Sequence, residues 1–242
     1  LRPERCVAAQ LRLAAAAGAR LVLDTRVEAI VPHAGHVEIR TGKGRILAGR
    51  VVVSAGAWAG RLLGPQVSGL LRPTREILHW YTLEPSAPAG WGEAPVYIWS
   101  YGHGVEEGFY GFPAFDGSVK LAHGEKTRSV DPDAFDRSSE EEESHDFYAR
   151  SIAGRLKGLR VDQSRRKTCL YTVSPDNGFI IDQWPQCERV LVVSPCSGHG
   201  FKHSAAIGEA VSQRLLDGAS RIDLAAFGLA RFGHAPLPGV AA

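Results

Sequence analysis

The stretch of the chain that points most directly to chemistry is residues 190–210, VLVVSPCSGHGFKHSAAIGEA. An apolar run, a glycine-rich turn and helical spacing of apolar residues predict a buried strand, a turn and a helix over 203–217 that ends at Gly218. The N-terminus of a helix exposes free N–H groups and a partial positive charge, and Lys202 adds a full positive charge there. We therefore expect an anion nearby: a carboxylate, a phosphate or a ring that becomes anionic on reduction. The alternative is a tight turn with a solvent-facing lysine.

The glycines of this turn, Gly198 and Gly200, begin a pattern that resembles a dinucleotide-binding loop. GHGFKH is not a complete G-x-G-x-x-G, because His203 occupies the third glycine position. The motif also lies near the end of the sequence, whereas a phosphate loop of that kind follows the first strand of its domain.

A second candidate site is the predicted strand that carries Cys169 and Tyr171. Alternate residues of a strand share a face, so the thiol and the phenol are neighbours about 6.6 Å apart along the strand. Nearby positive charge favours the thiolate, and three basic residues lie just upstream: Arg165, Arg166 and Lys167. The alternative interpretation is a small buried cysteine in a strand.

Lys120, in GSVKLAH, alternates with two apolar residues and therefore faces away from them, into solvent or into a polar pocket. The nine histidines show no convincing metal-ligand spacing with an acid, so we expect no metal site. The sequence contains no G-x-S-x-G, and Cys169 has no evident base partner, which weakens a hydrolase interpretation.

The elements that must position these residues follow an α/β, β-rich, α/β order. Residues 4–17 have helical spacing and end at Gly18. Short apolar or alternating runs then predict strands, of which the last is buried in a parallel sheet: Leu21–Leu23, Val27–Val31, Val37–Arg40, Arg45–Leu47 and Val51–Val53. Residues 72–122 are rich in aromatic runs and predict an antiparallel sheet. A helix after residue 138 has Ser138 and Glu141 at capping-box spacing.

Composition limits the class of protein. The chain has 242 residues, a net charge of +2 from intermixed signs and no apolar run long enough to span a bilayer. Nothing indicates a nucleic-acid or membrane partner. The four cysteines have no metal spacing and indicate reduced thiols in a cytoplasmic protein. The absence of methionine and the start at Leu1 suggest a fragment.

Four motifs in this order, SAGAW, YGFP, CLYTVSPDNGFIID and SGHGFKHSAAIGE, resemble the monomeric sarcosine oxidase family. That family includes N-methyltryptophan oxidase and pipecolate oxidase and consists of FAD-dependent amine oxidases. The resemblance covers roughly residues 1–232. It implies an α/β, Rossmann-like FAD-binding domain, present in part and interrupted by an α+β substrate domain with an antiparallel or mixed sheet.

The resemblance also implies roles for individual residues. FAD would be attached covalently to Cys169, and Tyr171 and Tyr110 would line the substrate pocket. Lys202 would bind the substrate carboxylate, and Lys120 would activate oxygen. Gly198 would lie against substrate and, with Gly200, against the cofactor. Two features depart from the family: the pocket histidine is replaced by His123, one position early and on the opposite face, and the G-x-G-x-x-G unit would precede Leu1.

The resemblance predicts four segments: 1–65 and 166–232 in the FAD-binding domain, 66–165 in the substrate domain, and 233–242 as a tail. The implied activity is oxidation of the C–N bond of N-methyl or other secondary amino acids by O2, giving H2O2, an aldehyde and an amine. The alternatives are an oxidase of pipecolate or N-methyltryptophan type, a dehydrogenase that avoids oxygen, and a truncated, inactive chain acting at most as an interaction module. Neither the preferred amine nor the oligomeric state follows from the sequence.

Overall fold

The chain forms two structural units in a computed structural model, which describes residues 1–103, 107–124, 126 and 128–233. Unit 1 consists of Leu1–Arg72 and Thr172–Ala242, and unit 2 of Pro73–Tyr171. The middle of the chain is therefore inserted between two parts of unit 1. Apart from Gly233, the predicted tail lies outside the described residues.

Unit 1 contains both helices and strands along the chain, whereas unit 2 consists mostly of strands. The α-helices are α1 (Pro3–Ala16), α2 (Ala59–Leu63), α3 (Pro65–Ser68), α4 (Glu141–Phe147) and α5 (Ser204–Asp217). The first strands are β1 (Val27–Pro32), β2 (Val37–Thr41), β3 (Gly44–Ala48), β4 (Val51–Val53), β5 (Arg72–Leu83) and β6 (Tyr97–Ser100). The others are β7 (Gly108–Gly111), β8 (Ser118–Ala122), β9 (Leu159–Val173), β10 (Ile180–Trp184) and β11 (Cys187–Ser194). This mixture confirms the α/β prediction.

Unit 1 contains two three-stranded sheets. An antiparallel meander has the order β1-β2-β3, and a mixed sheet has the order β10-β11-β4. In the mixed sheet β11 pairs parallel with β4, as the sequence predicted for the apolar run Val51–Val53, although Val52 is 38% exposed. Val190 and Val192 of β11 pack with α2 and α3, while Leu191 and Val193 face α5. Both faces of β11 are thus covered, which explains its continuous apolar run.

The predicted strand Leu21–Leu23 is wrong. These residues form no strand, and all three side chains are more than a third exposed. Helix α1 just before them buries none of its residues, although it begins with Pro3 and is followed by Gly18 in a left-handed conformation, as the sequence signals suggest. Local apolar pattern favours a strand here, but a strand forms only where a neighbour supplies hydrogen bonds.

Unit 2 is built on a five-stranded sheet of order β6-β7-β8-β5-β9. The three pairings β6–β7, β7–β8 and β8–β5 are antiparallel, which confirms the antiparallel sheet predicted for residues 72–122. One face of this sheet packs its apolar side chains against α4 and the turn that follows, and the core there includes Tyr81, Phe109, Leu121, Phe147 and Ile152.

The start of α4 differs from the prediction. The capping box is formed by Glu140 and Glu143, and the Ser138 side chain instead hydrogen-bonds to Asp136 at 2.7 Å. A contact distant in sequence selects this register, because the Arg75 guanidinium donates to both oxygens of Glu143, at 2.8 and 3.2 Å.

No helix in the described part of the chain has the length and apolarity needed to cross a membrane.

Candidate functional site

The two faces of the five-stranded sheet differ in character. On β5, Arg75 and His79 contact α4, through Glu143 and Ser144 respectively. Because alternate residues of a strand point to opposite faces, Glu76 and Trp80 lie on the face away from α4. We call this second face the polar face.

Strand pairing places the predicted site residues of unit 2 on the polar face. Lys120 of β8 pairs with Trp80, and Tyr110 of β7 pairs with Ala122, so these side chains share a face. On β9 the Arg165 guanidinium reaches the Ser118 hydroxyl at 3.3 Å, which puts the odd-numbered residues of this segment, Cys169 and Tyr171 included, on the same face.

The phenols of Tyr110 and Tyr171 meet, with their oxygens 3.4 Å apart. Two strands, β8 and β5, separate the strands that carry these tyrosines. The rings must therefore lean toward each other over β8 and β5. The pair forms a roof of two hydroxyl groups above the middle of the polar face.

The phenols are held in the neutral form. Burial raises the pKa of Tyr110 above its ordinary value, and the hydrogen bond with Tyr171 opposes this. Burial also raises the pKa of Tyr171 far above its ordinary value, and the charges of Tyr110, Cys169 and Glu76 raise it further. Both groups therefore remain hydrogen-bond donors at neutral pH.

Cys169 is half-buried and forms no disulfide. Only part of the basic run upstream lies on its side of the sheet. Arg166 turns to the opposite face, where its guanidinium contacts the Ser139 carbonyl oxygen at 3.4 Å. The positive charge available to the thiol on the polar face thus comes from Arg165 and Lys167, which share its parity.

Lys120 lies between two aromatic rings. Its Nζ is 5.5 Å from the centre of the Trp80 ring and 5.1 Å from that of Phe112, within the range of cation–π attraction. Val119 and Leu121 on either side are fully buried in the core of the other face. The alternation predicted for this strand is confirmed, and the surroundings of the ammonium are aromatic.

His123 lies on the opposite face, as expected from the spacing. Its ring packs edge-on against Phe147 of α4, with the centroids 5.0 Å apart. His79 stacks on the same phenylalanine, and burial, followed by the charge of His123, lowers the pKa of His79 to about 4. Neither imidazole belongs to the polar face.

The glycine-rich turn of unit 1 connects β11 to α5. Gly198 has φ +81°, and a Cβ at Gly200 would lie 1.5 Å from the carbonyl oxygen of Pro195. Only glycine fits at position 200. The turn is anchored by Ser197, which is buried: its amide donates to the Thr172 carbonyl oxygen at 2.9 Å, and its hydroxyl to that of Gly178 at 3.0 Å.

Lys202 lies in a 3-10 turn, Phe201–His203, that leads directly into α5. Its side chain is exposed, and within the described residues it has no hydrogen-bond or ion-pair partner. The structure therefore places a solvent-accessible ammonium at the start of the helix. Helix α5 has no side-chain N-cap.

Unit 1 has the layout of a nucleotide-binding edge. The parallel strands β4 and β11 end at the same side of their sheet, and each is followed by a glycine with positive φ, Gly56 and Gly198, before a helical segment. Ligands of open α/β sheets bind at the carboxyl ends of the strands. The turns after β4 and β11 are therefore placed where a ligand of unit 1 would bind.

Other parts of the chain offer less. A cavity of about 590 Å³ in unit 1 is lined by residues that include Arg50, Arg189 and Arg214, and contains none of the predicted site residues. Among the described residues no group of three or more metal-ligating side chains comes together.

Comparison with known proteins identifies the family. The sequence profile described as FAD dependent oxidoreductase matches residues 1–214. The chain belongs to this family. It is 30% identical to a monomeric sarcosine oxidase of Bacillus sp. (strain NS-129), over 94% of this chain and 59% of the relative. It is 34% identical to an N-methyl-L-tryptophan oxidase of Yersinia pestis (strain Pestoides F), over 96% of this chain and 61% of the relative.

Two solved structures show the same fold. NikD, an unusual amino acid oxidase essential for nikkomycin biosynthesis, superposes with a TM-score of 0.71 at 23% identity, over 91% of this chain and 58% of that one. L-proline dehydrogenase from P. horikoshii gives a TM-score of 0.65 at 19% identity, over 90% of this chain and 56% of that one. The chain thus spans about three fifths of the relatives it matches in this FAD-dependent family.

Sequence reasoning missed Phe112 and Glu76 on the polar face, and favoured a packing role for Trp80. Phe112 and Trp80 hold Lys120, and Glu76 is a buried carboxylate, 3% exposed. The even spacing of Glu76 and Trp80 in TREILHW was available as a signal. Their assignment to the polar face required a contact that shows which face packs on α4.

Proposed function

We propose that the protein is an FAD-dependent oxidase of N-methyl and other secondary amino acids. The observation that carries this proposal is the shared face of Cys169, Tyr171, Tyr110 and Lys120, with the two phenol oxygens 3.4 Å apart. A thiol, a pair of neutral donors and a cation on one surface suit a flavin and an amine substrate. The sequence identity to oxidases of N-methylated amino acids supports the same substrate class.

In the proposed reaction the C–N bond of the substrate loses two electrons and two hydrogens to give an imine. Water then adds to the imine, which separates into an aldehyde and an amine. O2 takes up the two electrons and two protons to form H2O2. FAD would supply the two-electron acceptor between the amine and oxygen.

The protein's own groups have distinct roles in this proposal. The ammonium of Lys202 binds the substrate carboxylate, since it is exposed and carries a full charge at the start of α5. The phenols of Tyr171 and Tyr110 donate hydrogen bonds in the substrate pocket. Gly198 and Gly200 allow the turn backbone to approach the ligand closely. Lys120, held between Trp80 and Phe112, stabilises the negative charge that develops on oxygen.

We further propose that Cys169 holds the flavin through a thioether. Forming this bond joins Sγ to the 8α-methyl carbon and releases two electrons and two protons, which O2 accepts. A cytoplasmic location, with small-molecule and O2 partners only, completes the proposal and agrees with four cysteines that form no disulfide.

The test uses protein that is expressed from its natural gene in the presence of FAD, denatured and digested with trypsin. The mass of the peptide Thr168–Arg189 is then measured. This peptide also contains Cys187, so fragmentation must place the adduct. A gain equal to one flavin on Cys169, lost in Cys169→Ala and kept in Cys187→Ala, supports covalent attachment. An unmodified peptide from flavin-containing protein contradicts it.

A second candidate is an oxidase of larger N-methylated amino acids, because the N-methyl-L-tryptophan oxidase is 34% identical to the chain. Turnover of sarcosine and of N-methyl-L-tryptophan, compared as kcat/KM, separates the two. If neither amine leads to H2O2 formation, both candidate functions are contradicted.

A further inference from the structure

An arginine ties the segment after α5 to the turn between β9 and β10. Arg231 lies in a 3-10 segment, Leu229–Phe232. Its Nε donates to one oxygen of the Asp176 carboxylate at 2.7 Å, and its Nη2 reaches the other oxygen at 3.3 Å. The same guanidinium donates to the carbonyl oxygens of Phe179, at 2.6 Å, and of Gly228, at 2.9 Å. These contacts fix the side chain in one orientation, because the guanidinium donors form a rigid planar fork.

The Asp176 carboxylate also shapes the turn to which it belongs. It accepts from the Ser174 hydroxyl at 2.9 Å and from the Gly178 amide at 3.0 Å. This turn is hydrogen-bonded in its turn to Ser197 at the start of the glycine-rich turn. The Ser197 hydroxyl donates to the Gly178 carbonyl oxygen, and it accepts from the Ser174 amide at 3.3 Å. The ion pair with Arg231 therefore holds a turn that contacts the glycine-rich turn directly.

Phe179 makes the contact from this turn to the residues around Lys202. Its ring is buried and packs against the rings of His199 and His203, with centroids 4.9 and 5.7 Å apart. On its other contact, the ring of Phe227 in the segment after α5 lies 5.4 Å from it. The segment after α5 thus reaches Phe179 twice, through an aromatic ring and through a guanidinium.

We propose that Arg231 is a positioning residue for the turn that carries Lys202. This inference rests on the proposed function, in which the Lys202 ammonium binds the substrate carboxylate. Within the described residues Lys202 has no hydrogen-bond or ion-pair partner, so the backbone on either side of it determines where the ammonium lies. Phe179 contacts the histidines that flank Lys202, and Arg231 holds Phe179. Arg231 thereby controls the affinity for the carboxylate without contact to the substrate, since a small displacement of a binding group weakens its interaction strongly.

The test is a double-mutant cycle between Arg231 and Lys202 on FAD-loaded protein expressed from its natural gene. Arg231→Met keeps a long apolar side chain and removes every donor of the guanidinium. We expect it to raise KM for sarcosine by about threefold to tenfold with little change in kcat, which is part of the effect of losing a hydrogen bond between charged groups. In the Lys202→Met background the same substitution should leave KM unchanged, because the group that it displaces is absent.

The matched control is Arg40→Met, which breaks an ion pair of the same length in β2 of the same unit. The Nε of Arg40 donates to Glu38 at 2.7 Å. This variant should leave KM unchanged in both backgrounds. An equal rise of KM for Arg231→Met in the two backgrounds, or no rise in either, overturns the inference and leaves the proposed function intact.

A second readout needs no substrate. Hydrogen exchange of the backbone amides, followed by mass spectrometry, should be faster in residues 198–203 of Arg231→Met than in wild type and unchanged in β11. Unchanged exchange in residues 198–203 overturns the inference. If wild type oxidises no amine, the proposed function fails, and the exchange measurement alone decides whether Arg231 positions the turn.

A second variant covers the case in which Arg231→Met does not fold. Asp176→Asn keeps the size of the side chain and removes the charge that binds Arg231, while the contacts of Arg231 with the two carbonyl oxygens stay available. A rise of KM that disappears in the Lys202→Met background supports the inference. A rise that persists there, or no rise at all, overturns it.

Discussion

The phenol oxygens of Tyr110 and Tyr171 lie 3.4 Å apart although two strands of the sheet separate the strands that carry them. Such a contact exists only if both rings lie flat over the intervening strands, because strands are spaced about 4.8 Å apart. It connects β7 with the edge strand β9 across the polar face. Because burial raises the pKa of both phenols, the pair keeps its protons at neutral pH and can donate a hydrogen bond to a ligand on this face.

The first prediction concerns the pH dependence of stability. Since burial holds the pKa of Tyr171 above its ordinary value of 10.0, the unfolded chain loses this proton at a lower pH than the folded chain. Its contribution to stability is thus fully present below about pH 10 and is lost as the pH rises further. Tyr171→Phe should lose stability less steeply above pH 10 than wild type. Urea unfolding of both proteins at a series of alkaline pH values checks this, with their difference in unfolding free energy at pH 7 as the baseline. Parallel plots of unfolding free energy against pH would contradict it.

The second prediction concerns Gly200. Alanine there would put its Cβ 1.5 Å from the Pro195 carbonyl oxygen, so the turn before α5 must rearrange. We expect Gly200→Ala to lower the free energy of unfolding by about 3 kcal/mol or more. Gly208→Ala, in the same helix with no atom near the new Cβ, should instead raise it by about 0.5–1 kcal/mol. Urea denaturation of both variants measures the contrast, and equal effects would be inconsistent with the close approach.

The local sequence pattern was sufficient to predict a residue's environment where its neighbours along the chain determine that environment. The alternation of Val119, Lys120 and Leu121 placed the lysine on the correct face, and the apolar run, glycine turn and helical spacing of residues 190–217 match β11 and α5. In these segments burial on one side follows from the period of the sequence alone.

Pattern failed where a distant contact makes the choice. Ser138 with Glu141 and Glu140 with Glu143 both have capping-box spacing, and the second pair is used because Arg75, far away in sequence, binds Glu143. Leu21–Leu23 has the composition of a strand and no pairing partner. Glu76 resembles any charged residue of a half-exposed strand until the packing of α4 defines the other face.

The third prediction separates the two halves of the proposed reaction. Lys120→Met keeps a long side chain between Trp80 and Phe112 and removes the charge that would stabilise reduced oxygen species. We expect reoxidation of the reduced protein by O2 to slow by about 10²–10³-fold, while anaerobic reduction by substrate changes little. Stopped-flow measurement of each half-reaction distinguishes these effects. Lys157→Met, at an exposed position of the same unit, serves as the control. Unchanged reoxidation would remove Lys120 from the oxygen step.

The fourth prediction concerns Lys202, whose ammonium is exposed beside the start of α5. If this group binds the substrate carboxylate, Lys202→Met should raise KM for sarcosine by about tenfold to a hundredfold, the value of one hydrogen bond between charged groups. The KM for dimethylamine, which lacks the carboxylate, should stay unchanged, because dimethylamine never makes the deleted interaction. Steady-state kinetics with both amines measures the difference, and Lys43→Met, an exposed lysine in the β2–β3 turn, should leave both KM values as in wild type. Equal losses for the two amines would mean that Lys202 acts on the fold or the cofactor and does not recognise the carboxylate.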